Sequence, residues 1–106
     1  MANEESFFSR GTGLREKRRE KLIEPDMYRV ILHNDDYTTR EFVVSVIMAV
    51  FHKTASDATR IMLDVHRKGR GTVGVYVYDI AETKARQVRE IAAAEEFPLK
   101  CTVEKE

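Results

Sequence analysis

Asn34, Asp35 and Asp36 stand side by side in this chain, and His66 follows further along. All four offer oxygen or nitrogen acceptors. The triplet comes directly after the apolar run Val30-Ile31-Leu32-His33 and directly before Tyr37-Thr38-Thr39-Arg40-Glu41-Phe42-Val43. Short Asn and Asp side chains satisfy nearby backbone groups and so favour turns. The triplet therefore belongs in a loop between a strand and a helix, and loops on a rigid scaffold are where binding groups sit. His66 lies at i+4 from Met62 and beside Val65, on the margin of an apolar helical stripe. There a neutral imidazole accepts a hydrogen bond. Acceptors set beside apolar residues suit a ligand with a cationic head and an apolar side chain. A free peptide N-terminus is such a ligand, because its α-amino group, with a pKa of about 7.7–8.0, is mostly charged at neutral pH. A lysine or a polyamine fits the same description.

Other chemistries find less support. The same four residues are possible metal ligands, but adjacent residues converge poorly on one ion and there is no Asp-x-Asp-x-Asp-Gly loop; neither a metal nor a cofactor is expected. There is no Gly-x-Ser-x-Gly, and Cys101 falls in a strand pattern where it reads as a buried apolar residue. Gly69-x-Gly71 is too short for a phosphate loop and stands between a helix and a strand in the wrong order. His33 and His52 read as boundary histidines.

These residues must be held by a small fold. With 106 residues, one domain is expected. Lys+Arg and Asp+Glu are both 18, so the formal net charge is zero and general nucleic-acid binding by bulk electrostatics is not expected. One cysteine allows no intramolecular disulfide. The N-terminus lacks the apolar stretch of a signal peptide, and no window approaches the roughly 18 apolar residues of a membrane span. A cytoplasmic protein with no membrane association is expected. Residues 1–24 carry the mixed-charge run Arg15-Glu16-Lys17-Arg18-Arg19-Glu20-Lys21 and little apolar surface. They read as a disordered, flexible arm, transiently helical from about residue 14 to 22. Pro25 opens a core domain over residues 25–106.

The periodicities of that core give an order. Tyr28, Val30 and Leu32 share one face of a strand, with Arg29, Ile31 and His33 on the other. Thr38 or Thr39 caps a helix, with Thr38-x-x-Glu41 fitting a capping box. That helix carries Phe42, Val43, Val46, Ile47, Val50 and Phe51 and ends near His52-Lys53. Ser56 is the expected cap of a second helix bearing Ala58, Ile61, Met62, Val65 and His66, which stops at Gly69. After a turn at Gly69-Arg70-Gly71, Thr72 to Tyr78 alternates, placing Val73, Val75 and Val77 on one face and Gly74, Tyr76 and Tyr78 on the other. Ala81 to Glu96 reads as a third helix, broken by Phe97-Pro98, and Leu99, Cys101 and Val103 alternate in a last strand. The order β-α-α-β-α-β predicts an α/β fold of the α+β type, a small three-stranded antiparallel sheet covered on one face by three helices.

The run from Met27 to Thr38, then Glu41-Phe42-Val43, Met62-Leu63-x-Val65-His66-x-x-Gly69, Gly74-Val75, Ala81-Glu82-Thr83-Lys84 and Phe97-Pro98-Leu99-x-Cys101-Thr102-x-Glu104 together resemble the ClpS family. These are the bacterial adaptors of the ClpA–ClpP protease. The resemblance covers about residues 25–106, and the family's fold, similar to the C-terminal domain of the ribosomal stalk protein, agrees with the order just derived. It implies a non-enzymatic adaptor that binds N-degrons, substrates beginning with Phe, Tyr, Trp or Leu, and hands them to the AAA+ unfoldase ClpA for degradation by ClpP. It also implies roles. Asn34, Asp36 and His66 would hold the α-amino group, and Asp35 the peptide backbone behind it. Leu32, Thr38, Val43, Met62, Val65 and Leu99 would line the pocket for the first side chain. Arg40 would stand at the rim, where relatives often carry Met, and Thr39 where Pro is common. The Arg40 stem can cover apolar surface while its head reaches water, which puts acidic residues behind the first one among the favoured sequences. Asp79, Glu82 and Lys84, near the start of the third helix, would meet the unfoldase, and the arm would serve handover by its presence and length. A monomer is expected. The runner-up is a protein-binding module of the same fold, for example ribosome-associated, without amine recognition. A third reading, a metal-dependent enzyme using Asn34, Asp35, Asp36 and His66, predicts stabilisation by divalent ions.

Overall fold

The computed structural model of the chain describes residues 24–106. The expected arm over residues 1–24, apart from Glu24, and its helical stretch lie outside the described residues. The elements run β1 (Met27–His33), α1 (Arg40–Phe51), α2 (Ala55–Lys68), β2 (Arg70–Val77), α3 (Tyr78–Ala94) and β3 (Lys100–Lys105). The sheet order is β2-β1-β3, with both pairs antiparallel. The chain thus has the predicted order and class.

One face of the sheet is dry. Val30 and Leu32 of β1, Val73 of β2 and Cys101 of β3 join Val46, Ile47, Val50 and Phe51 of α1, Ala58, Ile61 and Val65 of α2, and Ala81, Ala85, Val88 and Ala92 of α3 in one buried cluster. The small alanine positions let α3 lie close to the sheet. The other face carries no helix, yet Ile31 at its centre is only 2% exposed. Thr72 and Thr102 flank it in register. Arg70 and Glu104, from the outer strands, pair across β1 at 2.7 Å. The His33 ring meets the Thr102 hydroxyl at 2.8 Å. Polar side chains therefore roof Ile31 at the centre of the outer face.

Several local expectations are corrected. Of the two caps expected for α1, Thr39 is the one used, its hydroxyl accepting from the Phe42 N–H at 3.1 Å. Thr38 instead donates its hydroxyl to Asp35 at 2.8 Å, so the capping box does not form. Thr54, not Ser56, caps α2, accepting from the Asp57 N–H at 3.1 Å. A bulge between the partners of Val30 and Ile31 shifts the register of β2. Val73 then points into the core while Val75 is exposed, and Tyr76 packs against the core, so the three valines share no face. β2 begins at Arg70, with no separate turn after Gly69, and α3 starts at Tyr78 directly after the strand, without a side-chain cap on Val77. Tyr78, expected as the last residue of the strand, instead opens the first turn of α3, three residues before the expected Ala81.

Candidate functional site

The loop 34–39 between β1 and α1 is built before any ligand arrives. The Asp35 carboxylate accepts from the Tyr37 N–H at 2.8 Å, the Thr38 N–H at 2.7 Å and the Thr38 hydroxyl at 2.8 Å. Both carboxylate oxygens are thus spent within the loop. Burial pushes the Asp35 carboxyl up, but the hydrogen bonds from Thr38 and Tyr37 outweigh it, and the group titrates below the ordinary aspartate range. A second stitch ties this loop to α2: the Asn34 N–H donates to the Gly69 carbonyl at 2.9 Å. Gly69 ends α2 with φ at 90°, a conformation that glycine adopts without strain. At Gly71 a Cβ would lie 3.0 Å from Val65 Cγ2, so glycine lets β2 approach the helix that carries His66.

Around this loop lies a cavity of about 440 Å³. Asn34, Asp35, Asp36, Thr38 and Arg40 border it from the loop and the start of α1, and Val43 from one turn further on. Met62, Val65 and His66 come from α2, and Leu99 from the approach to β3. Val43, Met62, Val65 and Leu99 are buried and form an apolar wall. Asn34, Asp36 and His66 are exposed at its polar side. Leu32, expected in the wall, is instead fully buried in the core cluster and does not line the cavity. Four residues missed by the sequence reading also border it, His33, Tyr37, Thr39 and Glu41. Tyr37 and Thr39 belong to the loop and Glu41 follows it by two residues, and that nearness in sequence is the signal that could have found them. His33, at the end of β1, has a pKa below the usual imidazole value, chiefly through burial and then through Lys100 and Arg70.

His66 already has a partner. Arg40 Nη2 lies 2.9 Å from His66 Nε2. A guanidinium only donates, so Nε2 accepts here and the ring proton sits on Nδ1. The cavity thus combines a prefixed anionic loop, an imidazole acceptor and an apolar wall. It can hold a positively charged donor group with an apolar substituent.

The start of α3 is organised differently. Asp79 is exposed, and Glu82 pairs with Arg89 at 2.9 Å. Lys84, expected on a partner surface, turns inward: its Nζ donates to the Val50 carbonyl at 2.8 Å and sits 5.8 Å and 5.6 Å from the Phe51 and Tyr76 ring centroids. It neutralises the carbonyl end of α1. The sequence reading overlooked Tyr78 and Ile80, which are 51% and 48% exposed on this first turn.

Other chemistry is poorly served. Burial pushes the Cys101 thiol up to about 12, so it carries no thiolate at neutral pH. Among the described residues no three His, Cys, Asp or Glu side chains gather where they could hold a metal ion, and no helix is long and apolar enough to cross a membrane.

Comparison with known proteins places these observations. Residues 23–102 match the family model described as ATP-dependent Clp protease adaptor protein ClpS. The ATP-dependent Clp protease adapter protein ClpS of Syntrophus aciditrophicus is 61% identical over 85 residues, 80% of this chain and 79% of that protein. The protein of the same name from Acetivibrio thermocellus is 65% identical over 82 residues, 77% of this chain and 83% of that protein. Among solved structures, Agrobacterium tumefaciens ClpS2 bound to L-phenylalaninamide superposes with a TM-score of 0.77 at 44% identity, covering 78% of this chain and all of that one.

Proposed function

This chain belongs to the ClpS family of adaptors of the ATP-dependent Clp protease, and we propose that it captures proteins through an N-terminal Phe, Tyr, Trp or Leu and delivers them to a ClpA-type AAA+ unfoldase working with ClpP. The observation that carries this reading is the meeting, in one cavity, of the acceptors Asn34, Asp36 and His66 with the apolar wall of Val43, Met62, Val65 and Leu99. The related Agrobacterium protein binds L-phenylalaninamide, a molecule with a free α-amine, a benzyl side chain and a carboxamide where a peptide would continue. In this chain Asn34, Asp36 and His66 receive the ammonium, the apolar wall takes the first side chain, and Asp35 acts chiefly by fixing the loop beside the peptide backbone.

The magnitudes agree with a reversible carrier. Burying a Phe or Leu side chain is worth about 1.5–3 kcal/mol, and each charge-assisted hydrogen bond adds roughly 1.5–3 kcal/mol. After the cost of association, binding near ~−8 kcal/mol, in the micromolar range, is expected. The adaptor makes and breaks no bond itself. The exposed Tyr78, Asp79 and Ile80, with Glu82 behind them, supply the surface for the unfoldase, and the chain acts as a cytoplasmic monomer.

The test is a fluorescence-anisotropy titration with a Phe- or Leu-initiated peptide and its N-acetylated twin. Acetylation removes the charge and leaves the acceptors that the ligand covers without a donor, so only the free peptide is expected to bind in the micromolar range. Equal affinity for the two would remove the amine from the mechanism and leave a protein-binding module of the same fold.

A further inference from the structure

The Arg40–His66 contact has a consequence for the cavity it borders. A neutral imidazole offers one acceptor lone pair, and in the unliganded protein Arg40 Nη2 uses it at 2.9 Å. The α-ammonium proposed above needs the same lone pair, so both cations cannot be satisfied by it at once. The guanidinium has no stronger partner that would draw it away: among the described residues none of the ion pairs includes Arg40. Of the carboxylates bordering the cavity, Asp35 has both oxygens committed inside its loop. Asp36 and Glu41 border the same space and keep the field at the mouth negative, which holds a cation near His66.

We propose that Arg40 is a resident competitor for the amine site, a specificity-determining residue whose guanidinium occupies His66 until a substrate's α-ammonium displaces it. This rests on the amine-binding reading given above. Displacement costs every amine the same amount, so it selects through what else the ligand brings. A ligand with a bulky apolar side chain recovers the cost against Val43, Met62, Val65 and Leu99. A bare amine, such as a lysine side chain or a polyamine, has nothing to set against it and is excluded. The displaced guanidinium moves out to the rim on its long stem, near Asp36 and Glu41.

Arg40→Ala tests this by the sign of its effect. The substitution removes both the stem, which can only help an apolar ligand, and the guanidinium. If Arg40 only covers the rim, affinity for a Phe-initiated peptide falls. If it competes for His66, affinity for the free peptide rises, by about two- to tenfold for one hydrogen bond recovered, and spermidine or N-acetyl-lysine amide gains measurable binding. The ring nitrogens give a second readout, recorded at about pH 9, where an imidazole is neutral with or without a cation beside it, so that a shift reports the hydrogen bond and not the charge. In ¹⁵N-edited NMR of the peptide-free protein, the His66 Nε2 signal is expected to shift in Arg40→Ala, and adding the Phe peptide to the unsubstituted protein is expected to shift the Arg40 side-chain signals. Unchanged or weaker free-peptide binding in Arg40→Ala, or an unmoved His66 signal, would overturn the proposal. If the unsubstituted protein does not distinguish free from acetylated peptide, the amine-binding reading itself has failed, which is a separate result.

Discussion

Two strand-to-helix connections in this small domain are built in opposite ways. Between β1 and α1 the chain spends residues 34–39 on a loop that turns polar groups toward a recess. Its backbone is fixed by Asp35, its helix is capped by Thr39, and it is tied to α2 through Asn34 and Gly69. Between β2 and α3 no residue intervenes, Val77 offers no side-chain cap, and Tyr78 and Ile80 project from the first turn. The contrast fits the two ligands proposed for these places. A small charged group gains little unless its acceptors are positioned beforehand, because ordering them on arrival costs conformational entropy. A large protein partner can be met by apolar side chains that stand out from the surface and are buried only on contact.

If the recess works by prefixed acceptors, its removal is the most damaging change. Asp36→Ala and His66→Ala are each expected to weaken binding of a Phe-initiated peptide by more than tenfold in an anisotropy titration, since each deletes one charge-assisted bond. Both side chains are exposed, so thermal stability is expected to stay within about 0.5 kcal/mol. Retention of full affinity in both would break the comparison at its stronger end.

A subtler change leaves the acceptors in place and loosens their support. Asp35→Ala strands the Tyr37 and Thr38 N–H groups, and affinity is expected to fall about tenfold while hydrogen exchange of those two amides speeds up. The same support has a pH signature. Because the folded Asp35 pKa is lowered, its contribution is fully present above the ordinary value of 3.8 and is lost as pH falls from there through the folded value. Loop protection should therefore persist at pH 5 and fail only below about 3.8, whereas protection already lost at pH 5 would show that some other group holds the loop.

The junction offers the smallest effect on the isolated protein. Ile80→Asp is expected to leave both stability and peptide affinity nearly unchanged, because Ile80 is half exposed and far in sequence from the loop. Degradation of a Phe-initiated substrate by a reconstituted ClpA–ClpP protease is expected to slow several-fold. Unaltered degradation would move the partner surface elsewhere and leave the exposed turn without a role.

Much of this is legible in the sequence. The apolar periods of residues 27–33, 42–51 and 58–65 announce a strand and two helices, because side-chain direction in each element is fixed by the backbone repeat. Asn34-Asp35-Asp36 announces a loop because those side chains compete for the backbone, and Asp35 does so. Where the reading slipped, a local rule met a non-local cause. The bulge in β2 answers to its pairing with β1, and its signature in the sequence is no more than Gly71 and Gly74. Thr38 lost the cap of α1 to its neighbour because its hydroxyl went to Asp35.

The sequence by itself thus determined the order of the elements, the class of the fold, the loop and the apolar residues available for a wall, since all of these follow from patterns within a few residues. Tertiary structure alone decided which of them meet. It buried Leu32 behind the cavity's lining, turned Lys84 onto the end of α1, and brought Arg40 to His66 from 26 residues away. Such meetings depend on how helices pack across a sheet, where a shift of about one methylene group matters and no repeat along the chain records it.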